Sequence, residues 1–462
     1  MSLLGILNSA RDGLLAQSAG VAVAGQNVTN ANTPGYVRRG VILQSRTLGA
    51  QSSAAGGVDV VGISRAFDRV AHQRLTLEDA RRGAAQSRAN ALAQVEGVMS
   101  PGIGGIAERV SAMFTSFARL SGAPADRSMR ASVMSDVESL GTAMRGAVGD
   151  LDRLRSDLYA RASALSTDVN ERTARIAQLN GEIAEATARG DGAADLRDQR
   201  DLLVREVGER VGARVIEDAS GRITLFGMGT ALVEGNTAST VEVGQDTAGA
   251  MQVRVRRQPG GLGDDVTRAV TEGTLGGVRE ARDVDLPAAT NALDAFAFDL
   301  VGAINAVHSR AYGLDGATGR PLFTPITAVV GAAARVGLDA SIQGEPDRIG
   351  AASTSGTLPG GNVAALELAR LATTALGGGN GTPSERFGGI LGDVGTRRAS
   401  ADNELALRQD TVQQAESLLE SSSGVSLDEE MVNLTRFQRA YDASTKVLRV
   451  ADELLDSLIK GV

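Results

Sequence analysis

The stretch LLGILNSARDGLLAQSAGVAVAGQNVTNANTPGY, at positions 3–36, carries the pattern that decides the fold. Apolar or small side chains recur in it at alternating intervals of four and three residues, with one polar member: Leu3, Leu7, Ala10, Leu14, Gln17, Val21, Ala24, Val28 and Ala31. An apolar period of about 3.5 residues lets one helix pack along another. Proline cannot continue a helix, so Pro34 marks its end. The stretch therefore predicts a coiled-coil helix.

The other end of the chain repeats the pattern. An apolar column and a companion column run through it: Leu427, Leu434, Tyr441, Leu448, Leu455 and Val462, with Phe437, Ala451 and Leu458. Ser426 and Glu429 have the Ser-x-x-Glu spacing of a capping box, in which the serine begins the helix and the glutamate occupies its third position. Two coiled-coil helices at opposite ends of one chain predict that the termini meet and pair. Such an architecture serves assembly rather than catalysis.

Glycines distinguish the N-terminal helix from the C-terminal one. Gly5, Gly13, Gly20 and Gly25 fall between the predicted seam positions, so they are expected to cost nothing in packing. Each still weakens an isolated helix by up to ~1 kcal/mol relative to alanine. We expect a helix with this handicap, and without a core of its own, to be disordered in the free monomer. It would become ordered when neighbouring subunits supply the missing surface.

Long helices are predicted in the first half of the interior. Proline is absent between Pro124 and Pro259, and an apolar rhythm of four and three residues runs through much of this region. The rhythm indicates one long helix from about 126 to 190 and a second from 193 to 211, which Gly212 ends.

After Gly212 the helical pattern gives way to a β-prone one. Short β-prone runs fill residues 213–284, and the turn Asp218-Ala219-Ser220-Gly221 joins the first two of them. Helix is predicted to return at Pro287, a favoured first-turn residue. After a glycine-rich irregular segment, Asn362 is expected to cap a short helix, and residues 384–420 to form another long one.

These blocks predict a mainly α fold with a β insertion: a long antiparallel helical bundle, paired N- and C-terminal coiled-coil helices, and a small outer β domain. Because long helices stand on both sides of the insertion, the chain is expected to run out along one half and back along the other. Three domains follow: residues 1–64 with 421–462 as a terminal coiled-coil and hinge domain, 65–212 with 285–420 as a discontinuous helical core, and 213–284 as the inserted β domain.

Composition excludes several classes of function. A net charge of −8 with scattered arginines argues against nucleic acid, which binds a clustered basic face. The chain has no cysteine, which removes disulfides, thiol nucleophiles and thiolate metal sites. It has two histidines, and its acidic residues include no isolated pair in an apolar setting. We therefore expect no catalytic residue, no cofactor and no metal, and a protein that is not an enzyme.

The N-terminus is expected to stay on the protein. No apolar run reaches the roughly 18 residues of a membrane span, so no membrane insertion is expected. Residues 13–24 have some features of a signal peptide, with Arg11 before them and Ala22-Val23-Ala24 as a cleavage sequence. However, Asp12 cancels the charge of Arg11, and cleavage would destroy the predicted seam.

Several segments resemble the axial proteins of the bacterial flagellum, which are its rod, hook and hook-associated subunits. At the N-terminus the resemblance rests on Asn30 to Tyr36, with the family motif Asn32, Thr33, Pro34, Gly35 and Tyr36; at the C-terminus it rests on Phe437-Gln438-Arg439-Ala440-Tyr441. Three interior segments are similar to the hook-associated members in particular: 195–203, 307–316 with 321–323, and 347–353 with Gly361, Asn362, Ala365 and Leu366.

The resemblance implies a structural subunit at the junction between hook and filament. It would be exported unfolded by the flagellar type III system, with an export chaperone, and would then be extracellular. Its partners would be further copies in a ring or helical tube, the hook protein, and the next hook-associated protein at the filament base. We expect the assembly interface to consist of Leu3, Leu7, Leu14, Val21, Val28, Leu427, Leu434, Phe437, Tyr441, Leu448, Leu455 and Leu458. A rod or hook subunit, or a secreted coiled-coil adhesin, are the alternatives.

Overall fold

The computed structural model describes residues 3–46, 57–99, 104–257, 261, 263–377 and 381–460. The α-helices in this part of the chain are α1 (Leu3–Asn30), α2 (Arg69–Met99), α3 (Ile106–Gly122), α4 (Arg127–Ala188), α5 (Ala194–Val211), α6 (Gly273–Glu280), α7 (Leu286–His308), α8 (Val363–Arg370), α9 (Pro383–Ser423) and α10 (Leu427–Lys460). The strands are β1 (Arg39–Ser45), β2 (Val58–Arg65), β3 (Arg214–Glu217), β4 (Ile223–Gly227), β5 (Thr230–Glu234), β6 (Thr237–Ala238), β7 (Thr240–Gln245), β8 (Met251–Arg256) and β9 (Asp264–Asp265). The predicted fold class, mainly α with a β insertion, is confirmed.

The 62-residue helix α4 organises the core. It begins after Asp126, whose carboxylate accepts the N–H of Ser128 at 2.7 Å, as an N-cap does. Its buried apolar side chains, from Val133 to Ile183, belong to faces that pack on α3, on α5 and on the sheets that contain β5, β6 and β7. Helix α5 ends at Gly212, whose φ of +70° is a conformation that favours glycine. The two long helices predicted in this region are therefore present.

The strands form three antiparallel sheets. One is the hairpin β1–β2, one is β3-β4-β5-β6 in sequence order, and one is β7-β8-β9. The turn predicted between β3 and β4 is closed by Asp218, whose side chain accepts the N–H of Ser220 at 2.8 Å and of Arg222 at 3.0 Å. Gly221 in this turn has a φ of +81°, which explains why glycine is there.

Two asparagines of α4 bind the larger sheets with the hydrogen bonds that a neighbouring strand would make. Asn170 accepts the N–H of Val241 at 2.7 Å and donates to its carbonyl at 2.9 Å. Asn180 is fully buried and binds the N–H and the carbonyl of Ile223 at 3.1 and 2.8 Å. The apolar faces of these sheets belong to the same cluster as the helical core. The β segment is thus packed directly on α4.

The range 213–284, predicted as an inserted β domain, has its last strand at Asp265. The rest of the range includes α6, which packs against α2 and α5. The approach of α6 to α2 is so close that a Cβ on Gly277 would overlap the carbonyl oxygen of Ala84. The division into domains stays a prediction, but by its packing α6 belongs with the helices rather than with the strands.

The helix predicted to begin at Pro287 begins earlier. Helix α6 continues into α7 through a π-helical turn at Ala281–Asp285. The N–H of Leu286 bonds the carbonyl of Ala281, five residues back instead of four. Pro287, which has no N–H to donate, follows this turn directly as the second residue of α7. Pro287 marks that change and not the start of the helix.

Helix α3 and the role of Asn362 differ from the sequence prediction. Helix α3 was not predicted. Asn362 precedes α8, as expected, but its side chain makes no capping bond there. Its amide instead donates to the carbonyl of Ser121 at 2.8 Å. Asn362 therefore ties α8 to α3.

His308, at the end of α7, fixes the irregular segment that follows. It is 1% exposed, its Nδ1 lies 2.9 Å from the carbonyl oxygen of Arg320, and its Nε2 accepts the N–H of Gly350 at 2.9 Å. Because Nε2 accepts, the proton is on Nδ1 and is donated to Arg320. Burial lowers the pKa of His308 to about 4. The neutral imidazole thus connects the segment 307–323, through Arg320, with the segment 347–353, through Gly350.

We predict that His308 makes the folded protein sensitive to mild acid. An unfolded histidine has a pKa of about 6.5, so between pH 6.5 and 4 the unfolded chain binds a proton that the folded chain does not. The free energy of unfolding therefore falls as the pH falls through this window. The part due to His308 is about 2 kcal/mol between pH 6.5 and 5.

The variant His308→Leu should lose this part of the pH dependence. At pH 7 it should also be less stable by about 1–3 kcal/mol for each backbone group left without its partner. Urea unfolding followed by circular dichroism at pH 7, 6 and 5 measures both effects. The same pH slope in the variant and in the unsubstituted protein would contradict the prediction.

Candidate assembly interface

Helices α1 and α10 pack along each other in opposite directions. Three contacts spaced seven residues apart on each helix define their register: Gly13 with Ser444, Gly20 with Phe437, and Asn27 with Glu430. A heptad forward along α1 is thus a heptad back along α10. The two terminal helices of the chain meet and pair, as the sequence predicts, and the structure shows that they run antiparallel.

The face of α1 that makes this contact shares only Ala10 and Ala24 with the predicted seam. Its buried residues are Ala10, Ala16, Gly20, Val23, Ala24 and Asn27. The large side chains of the predicted row, Leu7, Leu14, Val21 and Val28, are half-buried beside the contact. The expectation that Gly13 and Gly20 lie off the seam is wrong, since both face α10.

Glycine at these positions allows a close approach. A Cβ on Gly20 would lie 2.5 Å from the ring of Phe437, and one on Gly13 would lie 3.3 Å from the hydroxyl of Ser444. Gly25 differs, because nothing lies within 4 Å of the position of its Cβ. A search for large apolar residues at heptad spacing misses such a face, because it treats glycine as a helix breaker.

Helix α10 keeps apolar surface outside the pair. Of the residues predicted for the interface, Leu427 and Tyr441 are 50% and 42% exposed. The others that are described on this helix are half-buried: Leu434, Phe437, Leu448 and Leu455. Further large side chains are exposed as well: Met431, Val432, Val447, Val450 and Leu454. The side chains of Leu3 and Leu458, which were also predicted, lie outside the described residues.

Polar side chains are buried where α1 ends. Asn27 is 1% exposed, donates to Glu430 at 3.0 Å and to the carbonyl of Arg39 at 2.9 Å, and accepts the hydroxyl of Tyr36 at 2.8 Å. Glu430 is 2% exposed and also accepts from Arg38 at 2.8 Å. Burial raises the pKa of the Tyr36 hydroxyl, which keeps it protonated as a donor. A buried asparagine fixes the register of a helix pair, because a shift would leave its amide unpaired.

Sequence analysis did not predict that Asn27 and Glu430 pair across the two terminal helices. A signal was present in the spacing, because Gly13, Gly20 and Asn27 recur every seven residues. A heptad of small residues that ends in an asparagine is what a close, register-fixed helix contact requires.

The family motif forms a turn between α1 and β1. Its first four residues are exposed: Asn32, Thr33, Pro34 and Gly35. Gly35 has a φ of +80°, and a Cβ there would lie 3.3 Å from the Leu202 side chain of α5. Tyr36 then turns back to Asn27. The motif therefore directs the chain from α1 into the hairpin while it passes close to α5.

Arginines of the β1–β2 hairpin meet a row of aspartates on α5. Arg39 lies 2.5 Å from Asp195 and 3.1 Å from Asp198, and Arg65 lies 2.6 Å from Asp198 and 2.8 Å from Asp201. The three aspartates are three residues apart, so they share one face of the helix. The segment 195–203, which carries part of the family resemblance, thus receives the hairpin.

The predicted cap of α10 is present in part. The Ser426 hydroxyl accepts the N–H of Glu429 at 3.4 Å. The Glu429 carboxylate pairs with Arg38 at 2.8 Å. A complete capping box occurs at the start of α9, where Thr382 and Glu385 bond each other's backbone N–H. Sequence analysis predicted that helix without recognising its cap.

Within the ranges described above, no three histidine, cysteine or acidic side chains are grouped so that they could hold a metal ion. In the same ranges, every helix falls short of the length and apolar character that crossing a membrane requires. In the described residues, α10 presents exposed apolar side chains instead.

Two family models match the chain. The model described as "Flagellar hook-associated protein FlgK helical domain" matches residues 92–323, which is half of the chain. The model described as "Flagellar basal body rod FlgEFG protein C-terminal" matches residues 416–460, which include α10.

Individual relatives point to the same group. The chain is 24% identical to flagellar hook-associated protein 1 of Escherichia coli (strain K12), over 98% of this chain and 99% of that protein. It is 26% identical to flagellar hook-associated protein 1 of Bacillus subtilis (strain 168), over 99% of this chain and 98% of that protein. The solved structure of the flagellar hook junction protein FlgK from Burkholderia pseudomallei has a similar fold, with a TM-score of 0.51 and 24% identity over 55% of this chain and 46% of that chain.

The register of the α1–α10 pair can be tested with a disulfide, because the chain has no cysteine of its own. A Cβ on Gly13 lies 3.9 Å from the Cβ of Ser444, inside the range of about 3.5–4.5 Å that a disulfide needs. Gly13→Cys with Ser444→Cys should therefore crosslink under mild oxidation of assembled flagella, in which the terminal helices are expected to be ordered, as seen by non-reducing electrophoresis. Leu15→Cys with Ser444→Cys is the matched control, since Leu15 is 55% exposed and should not crosslink. Equal yields in the two pairs would contradict this register.

The attachment of the hairpin to α5 can be tested at Asp198. Its side chain is 11% exposed and shared by two arginines, so Asp198→Asn removes one of the two carboxylates that each of Arg39 and Arg65 contacts. We expect a loss of about 1–3 kcal/mol in the free energy of unfolding, the range for hydrogen bonds to a charged group. Asp195→Asn makes the same change on the same helix, but its side chain is 79% exposed, and the expected loss is about 0–1 kcal/mol. Similar losses in the two variants, measured by urea unfolding, would show that the shared pair is not important.

Proposed function

Because the chain belongs to the family of the flagellar hook-associated protein FlgK, we propose that it forms the junction between the hook and the filament of the bacterial flagellum. Members of this family are structural parts of the flagellum and not enzymes, and the chain is one of them. The name of the solved relative, a hook junction protein, supports the more specific role.

The observation that carries the proposal is the apolar surface that remains on the paired terminal helices. Leu427, Met431 and Tyr441 lie on one flank of α10, and Val447, Val450 and Leu454 lie elsewhere on the helix, all at least 42% exposed. A monomeric soluble protein rarely exposes so many large apolar side chains on one element. Neighbouring subunits on both sides would bury them.

The subunits would therefore associate through α1 and α10 in a ring or helical tube. The interface would use the predicted residues beside the α1–α10 contact, such as Leu14 and Val21, together with those of α10. In this proposal residues 1–64 and 421–462 build the inner tube, the helical core surrounds it, and the β insertion faces outward. Its neighbours in the flagellum would be the hook protein on one side and the next hook-associated protein on the other.

The proposal includes the route of export. The terminal helices are expected to stay unfolded until they assemble, because α1 carries glycines that weaken it in isolation. Such a chain, without cysteine, suits the flagellar type III system, which passes unfolded proteins. A dedicated chaperone would protect the apolar termini from aggregation before export. The assembled protein would then be extracellular.

A rod or hook subunit is the alternative that has an observation in its favour. The family model that matches residues 416–460 is named after rod proteins, so α10 does not by itself separate the two groups. The match of residues 92–323 to the hook-associated model favours the junction. Immunogold labelling of purified flagella decides between them: label at the hook tip supports the junction, and label in the rod or along the hook contradicts it.

Assembly through the terminal helices can be tested by placing a charge on their exposed apolar surface. Leu427→Asp and Tyr441→Asp should block filament attachment in a strain that lacks the native protein, because burial of an unpaired carboxylate costs several kcal/mol. The expected readouts are loss of swimming and unpolymerised flagellin in the medium.

The matched control is Leu407→Asp on α9, where the leucine is 57% exposed and lies outside the proposed interface. This variant should swim normally. Each of the three leaves the fold unchanged by circular dichroism, since the residues are exposed. Normal swimming of Leu427→Asp and Tyr441→Asp would exclude this surface of α10 from the assembly.

A further inference from the structure

A cavity of about 290 Å³ lies where β2, the start of α2, α5 and β3 meet. This volume is close to the lower end of the range of about 300–1,000 Å³ that small-molecule sites occupy. Its lining includes the apolar side chains of Ile63, Phe67, Val204 and Val215. Arginines also line it: Arg65, Arg69, Arg197 and Arg200. The cavity is separate from the exposed surface of α10 used in the proposed assembly.

Guanidinium groups exceed carboxylates in the lining of the cavity, where four arginines meet Asp201 and Glu217. Glu217 is contacted by three arginines: Arg69 at 2.9 Å, Arg197 at 2.5 Å and Arg200 at 3.6 Å. One carboxylate cannot balance three cations. An excess of positive charge therefore remains at this end of the cavity.

The excess is not cancelled elsewhere in the connected ion pairs. Arg200 also approaches Asp201 at 3.7 Å, and Asp201 continues into the row of aspartates that binds the hairpin. The connected arginines are Arg39, Arg65, Arg69, Arg197 and Arg200, and the connected carboxylates are Asp195, Asp198, Asp201 and Glu217. Five cations thus face four anions.

Three nitrogens that belong to lining residues have no hydrogen-bond partner: Arg65 Nε, His72 Nε2 and Arg200 Nε. Arg200 is 2% exposed, and its Nε makes no hydrogen bond, although its Nη1 donates to the carbonyl of Gly221 at 2.6 Å. His72 Nε2 is buried without a hydrogen-bond partner as well, but burial lowers the pKa of this histidine, and a neutral imidazole donates from only one of its two nitrogens. A buried guanidinium N–H without an acceptor is unfavourable. An acceptor in the cavity would remove that penalty.

We propose that this cavity binds a small carboxylate carried on an apolar stem. The stem lies against Ile63, Phe67 and Val204, and the carboxylate is received by Arg69 and Arg200 at the cationic end. A carboxylate between guanidinium groups forms charge-assisted hydrogen bonds, which are among the stronger ones in proteins. Because the β1–β2 hairpin, α2, α5 and β3 all line the cavity, the ligand stabilises the contact between the hairpin and the sheet β3-β4-β5-β6.

Octanoate is the probe, and binding to the full-length protein is measured by isothermal titration calorimetry and by the midpoint of thermal unfolding. We expect octanoate to bind and to raise the midpoint as its concentration increases. Acetate, which lacks the stem, and octanol, which lacks the charge, should bind at least about tenfold more weakly. Equal binding of octanol, or no binding of octanoate, overturns the proposal.

The position of the site is tested by charge reversal on α2. Arg69→Glu should weaken octanoate binding by about tenfold or more, and it preserves the fold because the Arg69 side chain is 61% exposed. Arg74→Glu is the matched control, an equal charge change at an exposed position of the same helix outside the cavity. Its affinity should stay within about twofold. Equal weakening in both variants, or in neither, overturns the assignment to this cavity.

A filled cavity gives a second test that leaves every charge in place. Ala213→Leu adds apolar volume to the lining and should abolish octanoate binding. Ala372→Leu, in the groove between α3, α8 and α9, is its control and should bind octanoate normally. If Ala213→Leu folds by circular dichroism and still binds octanoate with unchanged affinity, the ligand does not occupy this cavity.

Discussion

The orientation of the terminal helices relative to the core depends on Arg39. Its backbone N–H donates to Asn27 in the buried end of the α1–α10 pair, and its guanidinium binds Asp195 and Asp198 of α5. One residue therefore belongs to both the helix pair and the attachment of the hairpin. A two-stranded hairpin is barely stable alone, so β1–β2 needs these supports on both sides. If either support is lost, the position of the terminal pair relative to the core is less constrained.

Helix α5 transmits this constraint to the rest of the fold, because its two charged faces bind different partners. Asp198 and Asp201 contact the hairpin. Arg197 and Arg200 contact the sheet β3-β4-β5-β6, where Arg197 pairs with Glu217 of β3 and Arg200 donates to the carbonyl of Gly221 in the following turn. The alternation of aspartate and arginine in the segment 195–203 is thus explained by geometry. A change in the angle of the hairpin would therefore change the position of β3, because one turn of α5 contacts both.

How much of this could be predicted from the sequence depends on which residues carry the information. Large apolar side chains at heptad spacing correctly indicated two terminal helices, and the long proline-free region indicated α4 and α5. The register of the terminal pair was missed because it is set by Gly20 and Asn27, whose roles appear only when Phe437 and Glu430 stand opposite them. The same limit applies to Pro287. Its lack of an N–H is a local property, but the π-helical turn that precedes it requires α6 to be present already.

The network around Asp198 was beyond prediction for a related reason. The resemblance singled out the segment 195–203, but no local pattern shows that Arg39 and Arg65, far away in the chain, arrive at the same face. Ion pairs over such separations are determined by packing, and packing here follows from the turn at Gly35 against Leu202. The local motif and the distant partner therefore had to be seen together.

The displacement between the predicted seam and the observed one has a consequence for the proposed assembly. Within the chain, α1 uses its small residues, such as Gly13 and Gly20, to contact α10. The row of larger residues, which includes Leu14 and Val21, is left half-buried beside that contact. A helix that needed one partner would place its largest apolar side chains against it, because they gain most from burial. In α1 the large apolar side chains lie outside the contact with α10, which is the pattern expected of a helix with a second partner. A neighbouring subunit in a tube would be that partner.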